Sequence, residues 1–205
     1  MKVACIDLEG VLVPELWPHI SRHTGIAALN RTTREEPDYP KLMRARIEAL
    51  RENNLRLSDV RAIVSMLQPY RDARRFLDVL ARDRAVFIVS DCFEELAESF
   101  LPGLGYPRLM AHRLDTDADG FITQCRFAQR QGKQDVVNTL IRDGIDVLAV
   151  GDALNDIGML KAATYGYLLR PSPTTVALAG DLPVADSLAE VLVRLQQDQL
   201  AHALI

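Results

Sequence analysis

Four short apolar runs organise the chain: Val3 to Leu8, Val86 to Val89, Val147 to Val150 and Tyr165 to Leu169. They are near-continuous rather than alternating, and β-branched residues recur in the first three. Strands buried on both faces of a parallel sheet read this way. Helical patterns precede the later runs, at Ala73 to Leu80, Gln134 to Ile141 and Asn155 to Ala163. Strand alternating with helix predicts an α/β fold with a doubly wound parallel sheet and right-handed crossovers.

Two segments break the alternation. From about Pro14 to Tyr70 no core strand is legible; Ser21 to Leu29, Leu42 to Leu50 and Ser58 to Leu67 read as helices. Thr32 to Pro40 and the surroundings of Asn53 and Asn54 read as loops. An insertion directly after the first strand predicts a small helical cap, residues 14–70, above an α/β core made of residues 1–13 and 71–205. The second break, Leu109 to Phe127, predicts a β-hairpin turning at Asp117 to Gly120. Asp115-x-Asp117-x-Asp119-Gly120 copies the first half of a calcium loop, but the twelfth position is Arg126, where calcium needs a bidentate Glu. The tail from Ser187 to Leu195 reads as a capped amphipathic helix packed on the sheet.

Composition narrows the function classes. With 205 residues, 48% hydrophobic and 25% charged, the chain has the balance of a globular protein with one sizeable core. The net charge of -4 and the scattered Lys and Arg argue against a nucleic-acid or anionic-membrane partner. Three cysteines, Cys5, Cys92 and Cys125, make neither a disulfide framework nor a CxxC zinc site. No signal peptide or membrane span is legible, so a reducing cytoplasm is expected.

The first three apolar runs end in polar residues: Asp7 and Glu9, Ser90 and Asp91, Gly151 and Asp152. Ligands of open α/β sheets bind beyond the carboxyl ends of the strands, so these ends are expected to share one crevice. Asp7 with Asp152 offers carboxylates from two strands, a donor set that suits Mg²⁺ with phosphate oxygens and water. Ser90 offers a hydroxyl and Lys133 a positive charge for phosphoryl oxygens. Any one of these acids taken alone reads as a turn or helix-cap residue; their recurrence at strand ends carries the argument.

The set Asp7-Leu8-Glu9-Gly10, Val89-Ser90-Asp91, Lys133 and Gly151-Asp152-x-x-Asn155-Asp156 resembles, in order and spacing, the four motifs of the haloacid dehalogenase-like phosphotransferases. Within them the chain is similar to the phosphoserine phosphatases. The run from Asp7 to Glu15 resembles the bacterial subgroup described as bifunctional phosphoserine phosphatase and phosphoserine:homoserine phosphotransferase.

The resemblance implies Asp7 as nucleophile and Glu9 as general acid and base. It implies Mg²⁺ held by Asp7, Asp152 and the carbonyl of Glu9, with Asp156 supporting the metal shell. Ser90, Lys133 and Asn155 would bind phosphate, and Glu15 and Arg46 the amine and carboxylate of L-phosphoserine or L-homoserine. Arg44 is the alternative to Arg46 on the same helix. Two positions depart from the wider family: Glu9 stands where Asp is usual, and Val11 where Thr or Ser is usual. Both departures belong to the homoserine-transferring subgroup. The competing readings are a phosphatase for another small ester and a phosphate-binding module with little turnover.

Overall fold

The computed structural model describes residues 1–32, 35, 36, 38–128 and 132–202. Its sheet has seven strands: β1 (Lys2–Ile6), β2 (Ala85–Phe93), β3 (Arg108–Thr116), β4 (Ile122–Arg126), β5 (Asp146–Gly151), β6 (Tyr165–Leu169) and β7 (Val184–Ala185). Their spatial order is β4-β3-β2-β1-β5-β6-β7. Every neighbouring pair is parallel except β3 with β4. β1 lies between β2 and β5, so Asp7, Ser90 and Asp152 emerge side by side toward the carboxyl edge, as the expectation of one shared crevice requires.

Ten α-helices accompany the sheet among the described residues: α1 (Leu16–Thr24), α2 (Tyr39–Glu52), α3 (Leu57–Val64), α4 (Ala73–Leu80), α5 (Glu94–Ala97), α6 (Leu101–Leu104), α7 (Lys133–Arg142), α8 (Ile157–Ala162), α9 (Pro173–Ala179) and α10 (Leu188–His202). The central strands are buried on both faces, and alternate residues serve two apolar layers. Ala4, Ile6, Leu148 and Val150 pack with α4 and α10; Val3, Cys5, Val147 and Ala149 pack with α7, α8 and α9. Buried apolar area of this kind is the main stabilising term, at about 25 cal/mol per Å² removed from water.

Helices α1, α2 and α3 fall between β1 and α4 and contribute no strand to the sheet. Where helix was expected over Ser21 to Leu29, α1 instead runs Leu16–Thr24 and a 3₁₀ turn follows at Ala27–Asn30. Gly25, at φ 74°, closes α1 in the left-handed conformation. Part of the expected loop over Thr32 to Pro40 lies outside the described residues.

The hairpin forms as expected. Asp117 accepts the Gly120 amide on its carbonyl, and the amides of Asp119 and Phe121 on its carboxylate. Asp115 pairs with Arg126 across the strands at 2.6 Å, so the Asp115 and Asp117 carboxylates are engaged by protein groups. The expected helix over Asn155 to Ala163 begins as a 3₁₀ turn, Leu154–Asp156, before α8. The tail helix is capped by Ser187, whose Oγ accepts from Glu190 N–H at 3.1 Å, and it runs on to His202.

Candidate active site

The floor of the site is built by strand ends. Asp7 continues β1 by donating its amide to Val150 O at 2.9 Å, which fixes the backbone beside β5. Its side chain is buried, and Oδ1 accepts both the Leu8 N–H (2.6 Å) and Lys133 Nζ (2.7 Å). The chain then reverses at once: Gly10 N–H donates to Val13 O, and Leu12 and Val13 both donate to Leu8 O. Gly10 sits at φ 75°, and a Cβ there would collide with the Asp152 carboxylate. The glycine is thus required twice, by its backbone angle and by the approach of the second acid.

Asp152 closes the other side. Its amide and that of Ala153 donate to Asp156 Oδ2 at 3.0 and 3.1 Å. Asp156 Oδ1 receives Lys133 Nζ at 2.7 Å. One buried ammonium therefore bridges two buried carboxylates, the expected nucleophile and the acid that shapes the Asp152 turn. Oxygens of Asp7, Asp152 and Asp156 lie within 4.8 Å of one another, a separation that a single cation can span.

The charges of this floor do not balance on protein groups alone. Burial, followed by the nearness of Asp156, raises the Asp7 carboxyl well above its ordinary range, against the pull of Lys133. Burial and then Asp156 and Glu15 push Asp152 up to about 7. Lys133 is also raised, well above its ordinary value: burial opposes its charge, but Asp156 and Asp7 outweigh that and hold it protonated. Asp7 and Asp152, crowded until both resist ionisation, form with Asp156 a donor set that fits a divalent cation.

Ser90, buried in β2 where the pairing with β3 shifts register between Val89 and Phe93, accepts the Cys92 N–H on Oγ at 3.1 Å and keeps its own proton to donate. Asn155 stands on the 3₁₀ turn after β5, exposed to the cavity, and its Nδ2 donates to Asp91 Oδ2 at 2.6 Å. Glu9 faces the segment entering α1: Oε1 accepts the Leu16 N–H at 2.7 Å. Burial and the neighbouring Glu15 raise its carboxyl to about 7, so near neutrality it exists in both protonation states.

The roof comes from α1 and α2. Glu15 precedes the first turn of α1 and opens to the cavity, where desolvation raises its carboxyl. Arg46 is buried on α2 with its guanidinium 4.4 Å from the centroid of the Trp17 ring. Nη2 donates to Arg31 O at 2.6 Å and Nη1 reaches Met43 Sδ at 3.5 Å, while Nε is buried with no acceptor. Arg44 is exposed and lines a separate groove against β4 with Gln124 and Cys125. Arg46, not Arg44, therefore lines the cavity with Glu15, Asp7 and Lys133. The enclosed space, about 480 Å³, is of small-molecule size.

Sequence reasoning brought together all the acids, Ser90, Lys133 and Arg46, and missed Trp17, Tyr39 and His112. Tyr39 OH donates to Asp91 O at 2.8 Å, and His112 Nε2 lies 3.5 Å from Asp91 Oδ1. No local pattern marks these three: they meet the site from other elements, and the segment holding Trp17 was not expected to be helical.

The chain has clear relatives among known proteins. The chain is 36% identical over 191 residues to a phosphoserine phosphatase of Pseudomonas syringae pv. tomato, covering 93% of this chain and 81% of the relative. It is 39% identical over 170 residues to phosphoserine phosphatase ThrH of Pseudomonas aeruginosa, covering 83% of each. Among solved structures, a phospho-aspartyl intermediate analogue of phosphoserine phosphatase superposes with a TM-score of 0.77 at 23% identity, covering 94% of this chain and 98% of the other. At that identity the superposition speaks for the fold. The family model described as haloacid dehalogenase-like hydrolase matches residues 1–164, and the chain belongs to that family.

Proposed function

We propose that the protein is a Mg²⁺-dependent phosphoserine phosphatase that works through an aspartyl-phosphate on Asp7 and also passes the phosphoryl group to L-homoserine. The observation that carries this reading is one small cavity with a crowded acid floor and a roof holding one acid, Glu15, and one base, Arg46. A zwitterionic amino acid needs one charge of each sign, and Arg46 Nε has no protein acceptor. The two relatives named phosphoserine phosphatase at 36% and 39% identity support the substrate. In this reading residues 14–70 form the cap, residues 1–13 and 71–205 the catalytic core, and the reaction takes place in the cytoplasm, where three free cysteines are at home.

Asp7 and Asp152, with the carbonyl of Glu9, would hold Mg²⁺, which would offset the repulsion between an anionic nucleophile and an anionic ester. Leu8 N–H and Lys133 both engage Oδ1 of Asp7, which leaves the second oxygen to attack phosphorus. As that bond forms, the bond from phosphorus to the serine oxygen breaks, and protonated Glu9 gives its proton to the departing alkoxide. Ser90, Lys133 and Asn155 bind the phosphoryl oxygens. In the second half, ionised Glu9 takes a proton from water or from the homoserine hydroxyl, whose oxygen attacks phosphorus and frees Asp7. Asp156 holds the Asp152 turn in place throughout.

Glu9 favours the acceptor other than water. Its carboxyl reaches one methylene further than the Asp usual in the family, and homoserine presents its hydroxyl one carbon further from the amine than serine does. A bound acceptor also has an effective concentration that a loosely held water lacks. The test is phosphate release from L-phosphoserine with Mg²⁺, with and without L-homoserine. Free phosphate alone gives way to O-phosphohomoserine as homoserine rises. If phosphohomoserine never forms at saturating homoserine, transfer is wrong and hydrolysis stands. If phosphoserine is inert while another small ester turns over, the roof assignment is wrong.

A further inference from the structure

Asp91 is the residue on which the cavity's parts converge. Its Oδ2 accepts Asn155 Nδ2 at 2.6 Å, and its Oδ1 lies 3.5 Å from His112 Nε2. Its backbone carbonyl accepts Tyr39 OH at 2.8 Å, and Tyr39 is the first residue of the helix that carries Arg46. Each group comes from a different element: Asp91 from β2, His112 from β3, Tyr39 from α2 and Asn155 from the turn after β5.

The histidine is fixed from behind. Its Nδ1 accepts the Ala128 N–H at 3.1 Å, so in the neutral ring the proton sits on Nε2 and points at Asp91. The ring is buried, with Phe127 edge-on at 5.1 Å and Phe93 at 6.0 Å between centroids. Burial works against the charge on Asp91, but the bond from His112, the nearby Lys133 and the bond from Asn155 outweigh it, and its carboxyl titrates at about 2. An ionised carboxylate accepts hydrogen bonds and donates none. It therefore dictates which way the Asn155 amide faces, with NH₂ towards Asp91.

Asn155 needs such a partner. It is exposed, on a one-turn 3₁₀ segment, and an unrestrained side chain there would sample several rotamers. We propose that Asp91, backed by His112, is a positioning residue that locks the rotamer and amide orientation of Asn155 so that its second N–H is presented to the phosphoryl group. This deepens the phosphoesterase reading given above and rests on it, but not on the choice of substrate. Nothing in Asp91 touches the reacting atoms; it acts through Asn155.

The experiment is a double-mutant cycle of Asp91→Ala and Asn155→Ala, read as kcat/KM on L-phosphoserine and on p-nitrophenyl phosphate, with melting temperatures for every variant. The phosphoryl group is common to both esters. Asp91→Ala is therefore expected to lower kcat/KM about tenfold on both alike, with the fold retained. The double variant is expected to be no worse than Asn155→Ala alone, because a positioning residue has nothing left to position.

Multiplicative losses in the double variant would overturn the proposal. So would a loss confined to phosphoserine, or no loss at all. Asp91→Ser provides a second small, polar replacement; if neither variant at position 91 folds, Asp91 is a folding determinant and the proposal falls. A wild-type enzyme that hydrolyses p-nitrophenyl phosphate and ignores phosphoserine removes the substrate reading alone, and the cycle is still read on the first ester.

Discussion

The floor and the roof of the cavity solve opposite problems. On the floor, charged groups are buried and answer one another: Lys133 spans Asp7 and Asp156, Asp156 holds the Asp152 turn, and Ser90 is fixed by the Cys92 amide. On the roof, charged groups are held by other means. Arg46 rests on the Trp17 face and a backbone carbonyl, with Nε unanswered, and Glu15 opens to the cavity without an ion-pair partner within the protein among the described residues. A floor assembled in advance lowers the cost of reorganising during the reaction. A roof with unspent charge reserves its interactions for the part of the ligand that does not react. In the proposed function, chemistry and selectivity would be carried by separate elements, strand ends below and inserted helices above.

The largest expected effect breaks the floor. Asp7→Asn keeps the shape but is a poor nucleophile, so turnover should fall by at least about a thousandfold. Melting temperature should stay at or above the wild-type value, since one of the crowded carboxylates is gone. Activity retained in the folded variant would refute a covalent role for Asp7. The matching break in the roof is smaller. Arg46→Ala should raise KM for phosphoserine about 10- to 100-fold, the worth of a charge-assisted contact, and change p-nitrophenyl phosphate little. Equal effects on both esters would make Arg46 a packing residue.

Acid crowding predicts an unusual pH dependence of stability. Glu9 and Asp152 bind their protons more tightly folded than unfolded, at about 7 against ordinary values of 4.5 and 3.8. The stability they contribute is therefore complete below about pH 4 and is lost as pH rises through 7. In metal-free protein the melting temperature should decline over that window, and Mg²⁺ should flatten the decline. A flat profile without metal would show that the floor is neutralised by other means. The smallest effect lies between the two regions. Glu9→Asp should shift the ratio of phosphohomoserine to free phosphate a few fold towards phosphate. An unchanged ratio would move the acceptor preference entirely to the roof.

The two regions also differed in how far they could be read from sequence. Buried parallel strands are continuous apolar runs, and their carboxyl ends are where ligands bind, so Asp7, Ser90 and Asp152 were legible together. Gly10 and Gly151 were legible as motif members, although only the structure shows that a Cβ at either would collide with Asp152 or Asp156. The roof was harder. The helix expected over Ser21 to Leu29 started too late: α1 begins at Leu16, with Pro18 in its first turn, where the missing N–H would have had no helical acceptor. Trp17 was lost with that error. The register of α2 was ambiguous between Arg44 and Arg46 because alternate residues of a helix share no face, and only packing reveals which one is turned inward. His112 joins Asp91 across two strands and an intervening pair of short helices, α5 and α6, a juxtaposition without a local signature. Strand β7, two residues long, and helix α9, seven, carry too little periodicity to be seen.

The chain contains four lysines, and three of them, Lys2, Lys41 and Lys161, lie on the surface. The fourth, Lys133, is buried and clamped as an ammonium between two acids. Amine-directed acylation requires the uncharged, accessible form, so such reagents should decorate the three surface lysines, with any free terminal amine, and leave Lys133 bare for as long as the strand ends stay assembled. The enzyme thus carries an internal reporter: the appearance of a label on Lys133 in a peptide map marks the moment at which the floor comes apart, independently of any substrate.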